Sequence, residues 1–305
     1  MGQDLRPKIT VLMPVFNCEK HIKTAISSIL DQTYKNFEFL IINDGSTDLT
    51  EIIIKSFNDE RINYIHNNEN KGLVFTLNKG INLAKGELIA RMDADDWAYP
   101  YRLERQVKFM VKNSKIGICG SNIELWDGFH VSGIWDYPMY DDEIKAKLFF
   151  KCSLAHPSVM FRKSLFNTHN LNYSEEFFPA EDYDLWTKMA QVTDFYNFGI
   201  SLLRYRISEN QISEIKKLEQ NDKTFEISWS QLLRLNIKNS ENYKSIHRNF
   251  LVGPWPQDLI HLKELANWLE QIHFANANLK IYHRSYFSVD LAIDFGIFVI
   301  FRWLK

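Results

Sequence analysis

The chain predicts an α/β fold: a mostly parallel central sheet with helices on both faces, followed by a mainly helical C-terminal extension. Three observations carry this expectation. Short β-branched runs alternate with amphipathic segments at βαβ spacing from Lys8 to Met92, the pattern of parallel strands joined by right-handed crossovers. The strand segments are almost continuously apolar, as strands covered on both faces must be. After Ser213 the periodicity is helical, with a break at Gly253-Pro254-Trp255-Pro256.

Lys8 to Met13 (KITVLM) reads as a buried strand ending at Pro14. Glu19 to Leu30 carries Ile22, Ala25, Ile26, Ile29 and Leu30 at helical spacing. Phe37 to Ile42 (FEFLII) is a second strand, and Asp48 can cap the helix that follows it. Ile62 to Ile65 is a third strand, Leu73 to Ala84 a helix stopped by Lys85-Gly86, and Glu87 to Met92 (ELIARM) a fourth strand. In open sheets of this kind ligands bind beyond the carboxyl ends of the strands. Those ends carry Pro14 to Asn17, Asn43 to Ser46, His66 to Lys71 and Asp93 to Asp96, so four polar segments converge on one edge. Beyond Pro100 the pattern becomes α+β. Helices are expected over Arg102 to Val111, Asp141 to Phe150 and Glu181 to Val192. Strands are expected over Ile116 to Trp126, Val131 to Trp135, Ser158 to Phe161 and Ser201 to Ile207.

With 305 residues, 45% of them hydrophobic, the chain can bury a sizeable core. Its 36 Lys plus Arg against 38 Asp plus Glu leave no global field to attract nucleic acid or an anionic membrane. Cys18, Cys119 and Cys152 are odd in number and dispersed, which supports neither a disulfide framework nor a Cys-rich zinc site. A reducing cytoplasm is the expected compartment, and the polar Met1 to Lys8 does not read as a signal peptide. The apolar run Tyr286 to Trp303 is broken by Asp290 and Asp294, which makes it a poor membrane span. Two readings stay open for it. A helix packed on the domain ranks first, and a helix lying in a membrane interface, with Arg302, Trp303 and Lys305 among headgroups, ranks second.

The segment Arg91-Met92-Asp93-Ala94-Asp95-Asp96 is the sharpest chemical signal. Three carboxylates at the end of an apolar strand repel one another unless a cation sits among them. Hard divalent cations favour such oxygens, and one held there could bind a diphosphate. An isolated Asp-x-Asp is more often a solvated turn; its place on the ligand edge favours the metal. In Asn43-Asp44-Gly45-Ser46-Thr47-Asp48, Asp44 follows a buried strand and precedes a glycine that permits a tight turn. A carboxylate there can accept a hydrogen bond from an imide N–H such as that of uracil.

The stretches ITVLMPVFNCEKHIKTAISSILDQTYKNFEFLIINDGSTD, NKGLVFTLNKGI, GELIARMDADDWAYPYRLERQVKFM, HPSVMFRK and AEDYDLWTKMA, spanning roughly Lys8 to Ser213, resemble family 2 glycosyltransferases. The resemblance implies the GT-A fold, a Rossmann-like sheet, and similarity to enzymes that build bacterial O-antigens and capsules. It divides the chain into a catalytic domain over 1–212, with a nucleotide-binding half to about 100, and a helical extension over 213–305. It implies donor contacts at Pro14, Val15, Asn17 and Glu19, a uracil-reading Asp44, and a nucleotide-side loop at Asn70 and Lys71. Asp93 and Ala94 are placed near the ribose, and Asp95, with Asp93, on a Mn2+ or Mg2+ ion. Asp182 is implied as the catalytic base with Glu181 beside it, and His156 and Trp186 on the acceptor side. One departure stands out: where relatives often carry a His after Tyr-Arg-x, this chain has Ser208.

Together these imply an inverting hexosyl transfer from a UDP-sugar to a polyprenyl-diphosphate-linked saccharide at the inner face of the plasma membrane, with no nucleic-acid partner. Two rivals are a sugar nucleotidyltransferase, which needs a Gly-rich basic loop that Met13 to Lys20 lacks, and a non-catalytic sugar-binding protein of the same fold. A dinucleotide dehydrogenase needs Gly-x-Gly-x-x-Gly after the first strand, and the chain has none there.

Overall fold

The computed structural model describes residues 9–208, 211–238, 240–254, 258–283 and 285–287. Its first part runs β1 (Ile9–Val15), α1 (Ile22–Leu30), β2 (Phe37–Asn43), α2 (Thr50–Lys55), β3 (Ile62–His66), α3 (Leu73–Leu83) and β4 (Leu88–Arg91). There follow β5 (Trp97–Ala98), α4 (Arg102–Lys112), β6 (Ile116–Trp126), β7 (Val131–Trp135), α5 (Asp141–Leu148), β8 (Met160–Arg162), α6 (Ser164–His169), α7 (Glu181–Met189) and β9 (Asp194–Arg206). The helices α8 (Ile212–Ile215), α9 (Lys217–Leu232), α10 (Lys244–Val252) and α11 (Leu259–Leu279) complete the described chain.

One sheet has the order β3-β2-β1-β4-β8-β6-β9-β5, with β7 hydrogen-bonded to β6. The run β3-β2-β1-β4 is parallel throughout. Beyond it the sheet is mixed: β8 is antiparallel to β4 and β6, while β6 and β9 pair in parallel. Alternation along the buried strands feeds two cores. Ile9, Val11, Met13 and Val15 of β1 and Phe37, Phe39 and Ile41 of β2 meet Ile22, Ala25, Ile26 and Ile29 of α1 on one face. Leu12, Leu40 and Ile42 meet Val74, Leu77 and Ile81 of α3, and Trp186 of α7, on the other. Gly80 brings α3 close to β1, since a Cβ there would fall 2.2 Å from Leu12 Cδ1.

Three expectations change. β1 does not stop at Pro14 but continues to Val15, with Pro14 in register with Ile42. β4 pairs only with Ile9 to Leu12, so Pro14 lies past the end of one neighbour and its missing N–H breaks no ladder there. Ser158 does not start a strand; His156–Ser158 is a 3-10 turn, and β8 begins at Met160. The strand expected from Ser201 begins at Asp194, where pairing with β6 overrides the polar residues of its first half.

Helices α9 to α11 form a third core with the end of α5. Phe149 and Phe150 pack with Phe225, Trp229, Phe250, Leu265, Trp268 and Phe287. His247 sits fully buried among them, its Nε2 3.0 Å from Ser228 Oγ and its Nδ1 accepting from Trp268 Nε1 at 3.2 Å. Tyr286 and Phe287 pack on this core; 288–303, the rest of the run read as either packed or interfacial, lies outside the described residues. Among the described residues no helix is long and apolar enough to cross a membrane.

Burial pushes the His247 imidazole down to about 3. Below its ordinary value of 6.5 the unfolded chain binds a proton that the folded chain refuses, so stability falls as pH drops from 6.5 towards 3. Between pH 7 and 5.5 this one group should cost about 1 kcal/mol of unfolding free energy. Urea unfolding at both pH values should show a pH-linked loss smaller by that amount in His247→Gln; an equal loss in both proteins would place His247 in a solvated or charge-paired site.

Candidate active site

The loops beyond β1, β2 and β3 are stitched together by short polar side chains. Asp44, one residue beyond β2, is buried, and its N–H donates to Val15 O at 2.8 Å. Its Oδ1 accepts from Asn67 Nδ2 at 2.7 Å and Lys71 N at 3.0 Å, and its Oδ2 from Gly72 N at 2.9 Å. Asp44 therefore clamps the loop between β3 and α3 against the end of β2. Gly45, at φ +72°, makes the turn possible, because a Cβ would lie 2.5 Å from Glu69 C. Asn17, at φ +46°, accepts from Thr47 N at 2.9 Å, and its own N–H donates to Ser46 Oγ at 2.9 Å. Glu19 Oε2 accepts from Leu49 N at 2.9 Å, while Asp48 accepts from Glu19 N at 3.1 Å and Thr50 N at 3.0 Å.

The acidic turn follows β4. Oxygen atoms of Asp93, Asp95 and Asp96 lie within 4.8 Å of one another. Two arginines hold it. Arg91, whose side chain is 4% exposed, ion-pairs with Asp93. Arg206 donates its backbone N–H to Asp96 Oδ1 at 2.8 Å and its Nε to Asp95 O at 2.8 Å, with its guanidinium 4.3 Å above the Trp126 ring. Burial and the Asp93 charge push the Asp95 carboxyl up to about 6. Burial, with Asp95 and Asp93, raises Asp96 well above the carboxylate range, and its buried Oδ2 has no hydrogen-bond partner. An all-carboxylate set this close, with one oxygen unpartnered, fits a hard divalent cation.

The second acidic pair opens α7. Glu181 is buried, with Oε2 unpartnered, and burial together with the Asp182 charge pushes it up to about 8. Asp182 is half-buried. Its Oδ1 accepts from Tyr183 N at 2.7 Å, and its Oδ2 takes the Cys152 S–H at 3.6 Å. Burial raises its pKa, and the Arg91 charge opposes this. Arg91 pairs with Asp93, and its charge also lowers the pKa of Asp95, Asp96, Glu181 and Asp182, so one guanidinium serves both acidic groups. His156 Nε2 lies 2.8 Å from Tyr173 Oη, and burial followed by Arg91 pushes its pKa well below the ordinary value. It is a neutral imidazole near the pair.

The remaining expected residues take these places. Pro14 and Val15 are buried strand residues, so their side chains belong to the core and the exposed turn begins at Phe16. Lys71 turns its ammonium to Glu69, and Asn70 Oδ1 accepts from Gly72 N at 2.9 Å; both shape the loop around Asp44. Ala94 is buried, its carbonyl taking the Cys18 S–H at 3.3 Å. Trp186 is fully buried under His156, 5.9 Å away, and Tyr173, 6.4 Å away. Its indole packs edge-on to both rings, so it backs the side chain of His156. Ser208 lies exposed past β9, its N–H donating to Gln211 Oε1 at 3.2 Å. Arg91, Arg206 and Cys152 were not expected at the site. Arg91 read as part of an apolar strand and Arg206 lies 110 residues beyond Asp96; an ionisable residue inside a strand that must be covered on both faces was the available signal.

The carboxyl ends of the parallel run carry buried Asp44 and the cation-competent cluster Asp93–Asp95–Asp96, on the edge where open α/β sheets bind ligands. The chain matches the model of Glycosyl transferase family 2 over residues 10–168. It is 32% identical over 213 residues to the Escherichia coli UDP-Glc:alpha-D-GlcNAc-diphosphoundecaprenol beta-1,3-glucosyltransferase WfgD, covering 68% of this chain and 80% of that protein. The chain belongs to glycosyl transferase family 2 and has the GT-A fold. Among solved structures it resembles S. aureus TarS residues 1–349 in complex with UDP-GlcNAc, with a TM-score of 0.64, 18% identity, and coverage of 88% and 81% of the two chains. It also resembles the mannosyltransferase PcManGT from Pyrobaculum calidifontis in complex with GDP-Man and Mn2+, with a TM-score of 0.57, 16% identity, and coverage of 95% and 88%.

Removing the Asp44 carboxylate deletes three anchors of the β3–α3 loop. Hydrogen bonds to a charged group are worth about 1.5–3 kcal/mol each. In Asp44→Ala, hydrogen exchange at the Lys71 and Gly72 amides should quicken by roughly tenfold or more, with β1 and β2 amides unchanged. Unaltered exchange at Lys71 and Gly72 would show that the loop holds itself.

Proposed function

We propose that this glycosyltransferase moves a hexose from UDP to a polyprenyl-diphosphate-linked saccharide, with inversion at the anomeric carbon, in the assembly of a bacterial surface polysaccharide such as O-antigen or capsule. The observation that carries the reading is the pair Glu181–Asp182 sharing Arg91 with the cluster Asp93–Asp95–Asp96. A donor diphosphate at one acidic group and an acceptor hydroxyl at the other would meet across that guanidinium. The E. coli relative's lipid-linked acceptor and UDP-Glc donor, and the UDP-GlcNAc in the TarS complex, support the choice of substrates. A lipid-linked acceptor would bring the protein to the cytoplasmic face of the membrane. Manganese in the PcManGT complex supports a divalent ion, Mn2+ or Mg2+, held by Asp95 and Asp93.

Such an ion supplies positive charge to the departing diphosphate. The chain's own groups do the rest. The loops clamped by Asp44, Asn17 and Glu19 form the nucleotide bed, with Asn70 and Lys71 at its rim and the Asp44 carboxylate able to accept a further bond from a uracil imide. Asp182 accepts the proton of the attacking hydroxyl at Oδ1 or Oδ2, its carboxylate aimed by the Tyr183 N–H and the Cys152 S–H. Glu181, pushed up to about 8, keeps its proton at neutral pH and leaves the charge of the pair on Asp182. Neutral His156 lines the acceptor approach. Development of positive charge on the sugar ring, as in other glycosyl chemistry, follows from a leaving group that departs ahead of the incoming oxygen.

UDP release from a panel of UDP- and GDP-sugars, with and without Mn2+, tests the donor and the metal. Asp95→Ala should abolish turnover and Mn2+ binding while the far-UV spectrum is kept; full activity in excess chelator would sink the metal assignment. Asp182→Asn should hold UDP affinity and lower kcat by roughly a hundredfold to ten-thousandfold, the range for a lost general base. NMR of the product from an α-linked UDP-sugar should show a β-glycoside, and a retained configuration would overturn single displacement.

Glu181 should also shape the pH dependence. Raised to about 8, it is protonated below that pH and ionises above it, placing a second charge beside Asp182. The kcat profile should therefore bend near pH 8, and Glu181→Gln should remove that bend while retaining activity at pH 7. A bend unchanged in the variant would assign it to another group.

A further inference from the structure

An aromatic track leads away from the acidic turn along the sheet. Trp135 stands opposite Ile123, and Ile123 opposite Leu203, across β7, β6 and β9. Gly133, Leu125 and Tyr205 make the next row on the same face, since residues two apart share a face. Trp135 and Tyr205 lie on the two strands that flank β6, and their rings stack across it with centroids 5.9 Å apart and 28° between planes. Trp135 is 48% exposed on a strand hydrogen-bonded to β6. Tyr137, two residues after Trp135, packs with Tyr205 against the core beneath the acidic turn. Burial, and after it the neighbouring Cys152, raise the pKa of its hydroxyl. Tyr205 directly precedes Arg206, whose N–H holds Asp96 at 2.8 Å, so the track runs from the acidic turn through Tyr205 to Trp135 at the surface.

Polar groups border it. Asn122 Oδ1 accepts from Tyr137 N at 2.9 Å, and Asn122 Nδ2 donates to the exposed Asp136 Oδ1 at 2.7 Å. Gly133 keeps the row flat, because a Cβ there would meet only Leu125 Cδ1, at 3.8 Å. We propose that Trp135 and Tyr205, bordered by Asp136, form a saccharide subsite holding a pyranose ring of the acceptor, beyond the ring whose hydroxyl reaches Asp182. A pyranose offers a face of C–H bonds to an aromatic plane and a rim of hydroxyls to carboxylates and amides, and this surface supplies both. The exposed acids Asp127 and Asp136 on the same hairpin argue against an anionic lipid surface as the occupant.

The inference rests on the transferase reading, and its test separates the two. Saturation-transfer NMR would irradiate the aromatic protons of the full-length protein in the presence of cellobiose, lactose or N,N′-diacetylchitobiose. At least one disaccharide should receive saturation at its ring C–H protons. Trp135→Ala should weaken its Kd at least fivefold and Trp135→Phe should largely restore it, with UDP affinity by calorimetry equal in all three proteins. No transfer to any of the three disaccharides in the wild type, or equal affinity in Trp135→Ala, would overturn the subsite. A dimer that falls apart in Trp135→Ala with no change in sugar binding would overturn it too, making the hairpin a contact between copies of the chain. Failure of the transferase reading would appear separately, as wild-type protein that binds no UDP.

Discussion

The guanidinium of Arg91 is nearly dry, and carboxyl groups from two distant parts of the chain converge on it. Asp93 ion-pairs with it, while Asp95, Asp96, Glu181 and Asp182 all feel its charge. A buried ion pair is costly to break, because removing one partner leaves the other charged and desolvated, at about 3–5 kcal/mol. Here one cation serves several anions, so the compensation is partial by construction. Burial and the surplus negative charge together hold Asp95 up at about 6 and Glu181 up at about 8. A site in this state gains by taking on a further cation at one end and a proton at the other.

Placement of Arg91 depends on the buried framework around β4. Arg102, fully buried on α4, donates Nη2 to Arg91 O at 2.6 Å, and Gln106 Nε2 reaches Ser158 O at 2.8 Å. These bonds tie the end of β4 to the turn that carries His156. The change from parallel to antiparallel pairing occurs at the same place, where β8 joins β4. A parallel neighbour would have continued the edge that carries the Asp44 and Asp93 turns. The antiparallel one instead brings the His156 turn beside the end of β4, and α7 packs beneath it through Trp186. The loops clamped by Asp44 and the acidic pair are thus two sides of one junction in the sheet.

Arg206 links the far end of the sheet to the acidic turn. β9 runs parallel to β6 and ends with Arg206 under Asp95 and Asp96, held over Trp126. The same pairing orders the aromatic residues of β6, β7 and β9 into rows that leave the site. The helical extension bears on this only indirectly: its core closes on Phe149 and Phe150 at the end of α5, and Tyr183 of α7 donates its hydroxyl to Leu148 O at 2.9 Å. Packing of the extension therefore backs the helix that presents Glu181 and Asp182.

The sequence alone determined the βαβ half, the helical extension and the acidic stretches, because these are local. A strand covered on both faces must be apolar along its length, as KITVLM and FEFLII are, and a turn rich in carboxylates after such a strand advertises its own repulsion. Tertiary structure decided what cannot be read locally. That Asp44 clamps the 67–72 loop, that Pro14 and Val15 belong to the core, and that Trp186 faces inward all depend on which side of an element meets a neighbour distant in sequence. The partners of the acids were hidden for the same reason. Arg91 lies in a strand chosen for its apolar pattern, and Arg206 reaches Asp96 from 110 residues away through strand register. Electrostatics in a buried site is set by distance in space, and sequence spacing carries that information only within a helix turn, a strand pair or a tight loop.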